Sequence, residues 1–180
     1  AGEQAARLRR APRTRGMTAK RRVTDPGPTR ITAVTLDNET IVRWSAEVEH
    51  ERQVAMFDLL EANHFHLRAG PDGPYELHLG LEDATLLIDV RPEIGQAVEL
   101  RLPVRPFRAV VKDYFFVCES YYNAIKTATP SRIESLDMAR RGLHNEGSEQ
   151  LKDALADRIE MDDNTARRLF TLVCVLHIRG

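Results

Sequence analysis

The ten-residue run from Arg140 to Glu149 combines residue types that can bind anions or transfer protons. A guanidinium group holds a phosphate or carboxylate through paired N–H donors. A histidine two residues from a glutamate has the composition of a general acid–base pair. The run therefore predicts a ligand or partner site made of two arginines, a histidine, an asparagine and two glutamates: Arg140, Arg141, His144, Asn145, Glu146 and Glu149.

The same run also has a purely structural interpretation. Gly142 and Gly147 flank His144, and we expect them to break or bend the chain there. The run would then form a corner between two helices, where its polar groups satisfy one another and the exposed helix ends. A structural corner, a ligand or partner site and a catalytic site all remain open, and the structural corner is the first expectation.

Two other groups of histidines and acids can carry chemistry. His64 and His66 are two residues apart on a predicted strand and point to one face, where they can begin a zinc site that still lacks its other ligands. Glu47, His50 and Glu51 share one face of a predicted helix, where a carboxylate can poise the histidine for proton transfer, although such a face is more often a solvated surface. The chain contains no glycine-rich phosphate loop, nucleophile elbow or Cys-x-x-Cys pair. We predict no metal and no cofactor, and leave enzyme activity open.

Composition places the chain among ordinary globular proteins. Its 180 residues are 42% hydrophobic and 29% charged. No apolar run approaches the roughly 20 residues that a membrane span requires, so we expect no membrane partner. Cys118 and Cys174 lie within apolar periodic segments, which predicts buried free thiols in a reducing compartment. These features predict a cytoplasmic location.

Charge divides the chain into two parts. Residues 1–30 contain nine basic and two acidic residues, whereas the remainder contains 17 basic and 25 acidic residues. Because residues 1–30 lack apolar periodicity and are interrupted by proline, they are predicted to be a disordered arm before a single domain at 31–180. The arm can bind phosphates of RNA or DNA, dock on the acidic domain or remain solvated. In a further alternative, Met17 is the natural first residue of the protein and residues 1–16 are an upstream extension.

The order of predicted elements indicates an α+β fold. A strand at 31–36 and a helix at 46–61 capped by Ser45 precede short apolar or alternating segments at 64–67, 75–81, 85–90 and 97–102. Helical spacing begins at Pro106, continues as a long buried helix and stops at Thr129–Pro130. Three further helices are predicted, capped by Ser131, by Ser148 and by one of Asp162, Asp163 or Asn164. We expect a small antiparallel β-meander packed against a helical C-terminal half.

Several runs resemble a known family. They occupy residues 47–52, 111–115, 118–122, 140–149 and 165–172, and they are similar to the alphaproteobacterial uncharacterised protein family 0262. The resemblance extends over about residues 31–180. It implies a bacterial cytoplasmic protein of unknown function and supplies no catalytic residue.

Three functions follow as hypotheses. The first is a non-enzymatic binding or regulatory module that engages a protein or a small anionic ligand through the run around His144. The second is association with RNA or the ribosome through the basic arm. The third is a small hydrolase or transferase that uses His144 and Glu146 with Arg140 or Arg141 as an anion clamp. Homo-oligomerisation is open because much of the helical half is apolar.

Overall fold

The computed structural model describes residues 26–37 and 45–177. Residues 1–25 of the predicted arm, including Met17, lie outside the described residues, so the arm stays a prediction. The described residues form six strands and four helices. In chain order these are β1 (Ile31–Leu36), α1 (Ala46–Glu61), β2 (Phe65–Leu67), β3 (Tyr75–Glu82), β4 (Thr85–Pro92), β5 (Val98–Pro103), α2 (Arg108–Thr127), α3 (Pro130–Leu155), β6 (Ile159–Met161) and α4 (Asp163–Leu176).

The residues just before β1 are bound to the body of the protein. The Pro28 carbonyl accepts a hydrogen bond of 2.7 Å from the backbone N–H of Gly73. The Arg30 guanidinium donates to the carbonyls of Leu60 and Glu61, at 2.9 and 3.2 Å, where α1 ends. A cation suits this end of a helix, because its last carbonyls lack intrahelical partners.

The sheet confirms the α+β class and the antiparallel meander formed by β3, β4 and β5, and it adds β1 as a parallel neighbour of β3. Its order is β1-β3-β4-β5, with antiparallel pairing from β3 to β5 and parallel pairing of β1 with β3. Because β1 joins its edge, the four-stranded sheet is mixed rather than purely antiparallel. Alternation within a strand shows which face is buried but not the direction of its neighbour. A parallel pair needs a long connection, which here contains α1.

Strand β2 lies outside this sheet. It pairs with β6 in a separate antiparallel ribbon, where His66 is opposite Glu160. The sequence pattern predicted that residues 64–67 belong to the meander, and it did not predict the strand Ile159–Met161. Three residues are too few for alternation to be recognised, and only the fold brings these two segments together.

Helix α4 is central to the hydrophobic core. Ten of its fourteen residues are buried, and it contacts α1, α3 and β3. Asp162 caps it by accepting from the Thr165 N–H at 2.9 Å, so the first of the three predicted caps is confirmed. The predicted burial of Cys118 and Cys174 as free thiols is also confirmed.

Helix α3 contradicts the predicted corner. It runs unbroken for 26 residues through Gly142 and Gly147, and it is capped by Thr129 rather than by Ser131. The Ser148 hydroxyl starts no new helix and instead donates to the Asn145 carbonyl at 2.9 Å. A glycine inside a helix lowers stability by only about 1 kcal/mol relative to alanine. Tertiary packing of the helix on either side of the glycine can outweigh this loss.

Packing explains one of the two glycines. A Cβ atom at Gly147 would overlap the ring of Phe170 on α4, whereas a Cβ atom at Gly142 would meet nothing within 4 Å. Gly147 therefore lies where the backbone of α3 passes directly against the ring of Phe170 on α4. A residue without a side chain is required here so that Phe170 can pack against α3, and the helix continues through it.

Candidate functional site

The six predicted site residues lie on one helix but on different faces of it. Arg140 and His144 are half-buried. The other four are exposed: Arg141, Asn145, Glu146 and Glu149. His144 and Glu146 are two positions apart on a helix, so their side chains do not face each other. The structure therefore does not bring the two side chains together as the predicted acid–base pair.

His144 is a packing residue of the α3–α4 contact. Its Nε2 lies 2.8 Å from the Thr171 hydroxyl, and its ring centroid lies 5.4 and 5.3 Å from those of Tyr114 and Phe170. Burial, followed by the charge of Arg167, lowers the pKa of His144 to about 4. The imidazole is consequently neutral at pH 7 and presents no cation to a ligand.

The two arginines of the run share one carboxylate. Arg140 Nη2 lies 2.7 Å from Asp137 Oδ1, and Arg141 Nη2 lies 2.8 Å from Asp137 Oδ2. Arg140 also stacks over the Tyr121 ring on α2, with its Cζ 5.1 Å from the ring centroid. Part of the donor capacity that could clamp an anion is therefore directed at Asp137, and Arg140 joins α3 to α2.

Asn145 extends the same network towards α4, since its Oδ1 accepts a hydrogen bond from Arg167. Ligand or partner binding by Arg140, Arg141, His144, Asn145, Glu146 and Glu149 stays a prediction. What the structure assigns to Arg140, His144 and Asn145 is a role in joining α3 to its neighbours.

Three other histidines, His64, His66 and His78, have separate partners. His64 Nε2 lies 3.0 Å from Glu160, and His66 Nε2 lies 3.0 Å from Asp72. His78 Nδ1 lies 2.7 Å from the Thr35 hydroxyl on the sheet. Within residues 26–37 and 45–177, no three histidine, cysteine or acidic side chains are arranged to hold a metal ion.

A groove that sequence analysis did not anticipate lies along α2. Its volume is about 1040 Å³, and α2 faces the start of α1 and the end of the β3–β4 hairpin across it. The α2 wall is a single stripe of residues three and four positions apart: Arg108, Val111, Lys112, Phe115, Cys118, Glu119, Tyr122, Asn123 and Lys126. From the first to the last, the stripe rises roughly 27 Å.

The groove has an apolar floor and a charged rim. Val111 and Cys118 are buried, Phe115 is half-buried, and Val48 and Leu81 line the opposite side. The charged lining residues are all exposed: Arg108, Lys112, Lys126, Glu47 and Glu119. His177, which also lines the groove, is half-buried. This surface can bury an apolar group while binding a charged or polar one at its edge.

Hydrogen bonding fixes the inner wall of the groove. The Tyr122 hydroxyl donates to Glu51 Oε1 on α1 at 2.6 Å, which ties α2 to α1. Burial, reinforced by this hydrogen bond, raises the pKa of the Tyr122 phenol above its ordinary value. Burial likewise raises the pKa of the Cys118 thiol to about 11. Both groups are therefore protonated at pH 7.

Helical spacing predicted that the apolar positions of α2 belong to the core, and many of them do. Helical spacing shows which residues share a face but not whether a neighbouring element covers the whole of it. The available signal was the presence of Arg108, Lys112, Glu119 and Lys126 beside that stripe. Residues 38–44 and 178–180 adjoin the lining residues Ser45 and His177 in sequence and lie outside the described ranges.

No helix of the described residues combines the length and the apolar character needed to cross a membrane. Residues 28–179 match the model of the uncharacterised protein family UPF0262. A UPF0262 protein of Azorhizobium caulinodans is 55% identical over 158 residues, covering 86% of this chain and 98% of that protein. One from Paramagnetospirillum magneticum is 58% identical over 140 residues, covering 77% and 89%. One from Rhizobium etli is 56% identical over 155 residues, covering 86% and 98%. No solved structure matches the chain.

Proposed function

The chain belongs to the uncharacterised protein family UPF0262, whose description assigns no activity, and we propose that it is a non-enzymatic binding module. Its ligand is a small molecule held in the groove along α2. The observation that carries the proposal is the groove of about 1040 Å³, with its apolar floor and charged rim. Small-molecule sites typically occupy about 300–1,000 Å³ and have this mixture of apolar lining and a few polar groups.

The chemistry of the lining supports binding rather than catalysis. Among the groove residues that can act as nucleophiles, Cys118 and Tyr122 must first lose a proton, and burial raises the pKa of both. A thiol with a pKa of about 11 is almost entirely protonated at pH 7, whereas reactive cysteines have lowered pKa values. His177 is half-buried, and its Nδ1 is 3.0 Å from the Val173 carbonyl of its own helix.

Binding of a neutral fluorescent apolar probe, N-phenyl-1-naphthylamine, tests the proposal. The full chain should enhance its fluorescence with saturation. The change Asn123→Phe puts an aromatic ring into the groove and should weaken binding about tenfold, the effect of losing about 1.4 kcal/mol of contacts.

Ala109→Phe is the matched control. Ala109 is also an exposed position of α2, but it does not line the groove, so this variant should bind the probe like the parent chain. Circular dichroism should show the same helix content in all three proteins. Absence of saturable binding, or equal weakening by both phenylalanines, would refute the groove as the binding site.

A further inference from the structure

We infer that the ligand of this groove is an amphipathic anion with a long aliphatic tail, whose charged head lies beside Arg108 and Lys112. This inference rests on the proposed function and specifies its ligand. It commits to a carboxylate, sulfonate or phosphate head attached to an unbranched hydrocarbon chain.

Charge is unbalanced at one end of the groove. Arg108 and Lys112 are four residues apart on α2, so their side chains lie on the same face of the helix. Across the described residues, neither has a carboxylate within ion-pair distance. Burial, together with the charge of Arg108, lowers the pKa of the neighbouring His177, which is therefore neutral at pH 7. Two cations without an acidic partner favour an anion here.

The other end of the groove is electrically balanced. Lys126 lies at that end with Glu47 of α1. Hydrogen bonds from its own backbone and from Ser45 lower the pKa of Glu47, and the charge of Lys126 acts in the same direction. Because a carboxylate already accompanies the lysine, an incoming anion gains less there. The head group is thus directed to the Arg108 end.

The direction of α2 also favours an anion at the Arg108 end of the groove. Arg108 is the first residue of this 20-residue helix, and its N–H donates to the Arg105 carbonyl of the 3-10 turn before it, so the cationic end of the groove lies at the N-terminal end of α2. The helix macrodipole places a partial positive charge at the same end. Helix direction and side-chain charge therefore act together on the same head group.

The floor explains why the ligand needs a tail. Val111, Phe115 and Cys118 follow the cationic end along α2, and Val48 and Leu81 face them. The apolar stretch continues to Tyr122, roughly 21 Å along the helix axis from Arg108. A compact anion would contact the rim and leave this floor in water. An extended hydrocarbon chain covers the floor, with a gain of roughly 25 cal/mol for each Å² of apolar surface buried.

Three probes with the same 12-carbon chain separate head group from tail. Dodecanoate, 1-dodecanol and dodecyltrimethylammonium, each below its micelle concentration, compete with N-phenyl-1-naphthylamine for the full chain. We expect dodecanoate to bind at least about tenfold more tightly than the alcohol, and the cation to bind most weakly. Hexanoate should bind more weakly than dodecanoate because it covers less of the floor.

Charge neutralisation locates the head. In the double variant Arg108→Gln/Lys112→Gln, dodecanoate should lose at least about tenfold in affinity while 1-dodecanol is unchanged. The double variant Arg132→Gln/Arg158→Gln removes the same net charge from exposed positions outside the groove, and it should leave both affinities unchanged. Since these positions are exposed, all four single changes should preserve the fold.

The outcomes distinguish the two proposals. If the alcohol binds and the carboxylate has no advantage, the amphipathic-anion inference is overturned while the binding groove stands. If no 12-carbon probe displaces the fluorophore, both proposals fail. If dodecanoate binds only after residues 178–180 are deleted, the groove is occupied by this chain's own C-terminus, and the inference of an external anion is overturned.

Discussion

Replacing Gly147 by alanine places a methyl group where the ring of Phe170 lies, at the crossing of α3 and α4. Phe170 is fully buried, so its ring cannot move aside without disturbing the core. Overpacking of this kind costs typically about 1–3 kcal/mol, and the overlap here involves three ring atoms, which argues for the upper end. The gain in helix propensity from glycine to alanine returns only about 1 kcal/mol.

Gly142 provides the matched comparison within the same helix. Alanine at Gly142 meets nothing within 4 Å and therefore keeps the propensity gain. We expect Gly142→Ala to raise the free energy of unfolding by about 0.5–1 kcal/mol and Gly147→Ala to lower it by about 2 kcal/mol. Urea denaturation followed by circular dichroism at 222 nm measures both values.

A second change tests whether the Phe170 ring is the cause. Phe170→Leu creates a cavity and destabilises the parent chain, but it relieves the overlap, so it should cost less in the Gly147→Ala background than alone. If Gly147→Ala is as stable as Gly142→Ala, the close crossing of α3 and α4 is incorrect. Additive effects of the two changes would contradict the Phe170 explanation in the same way.

Two further predictions concern charge. Burial lowers the pKa of His144 to about 4 from an ordinary 6.5, so the unfolded chain binds more protons between these values. The contribution of His144 to stability is then complete above pH 6.5 and decreases by up to roughly 3 kcal/mol as the pH falls through 4. Unfolding free energies measured from pH 4 to 7.5 should fall more steeply for the parent chain than for His144→Gln, and parallel curves would refute this. For the basic arm, RNA affinity of the full chain should exceed that of residues 26–180 and decline with salt. Equal affinities would remove the arm from nucleic-acid binding.

Individual elements show how far the sequence determines the fold. Ser45 followed by an apolar periodic run is sufficient to predict α1, because capping and helical spacing are local properties. The same local rules were misleading at Gly142 and Gly147, where glycine was taken to end a helix. Packing against Phe170 decides the outcome at Gly147, and that contact joins residues 23 positions apart in sequence.

Some features of the candidate site likewise follow from the sequence, and others follow only from the tertiary structure. The sequence alone determined which residues can carry charge and that Cys118 and Cys174 lie in apolar segments. It also determined that α2 has a stripe of apolar positions next to basic ones. Only the tertiary structure decided that Arg140, His144 and Asn145 contact neighbouring helices, while residues 26–37 and 45–177 leave part of the α2 stripe open as a groove. Composition and spacing fix what a helix face can do. Whether another element covers that face depends on contacts between residues far apart in the chain, which local patterns do not encode.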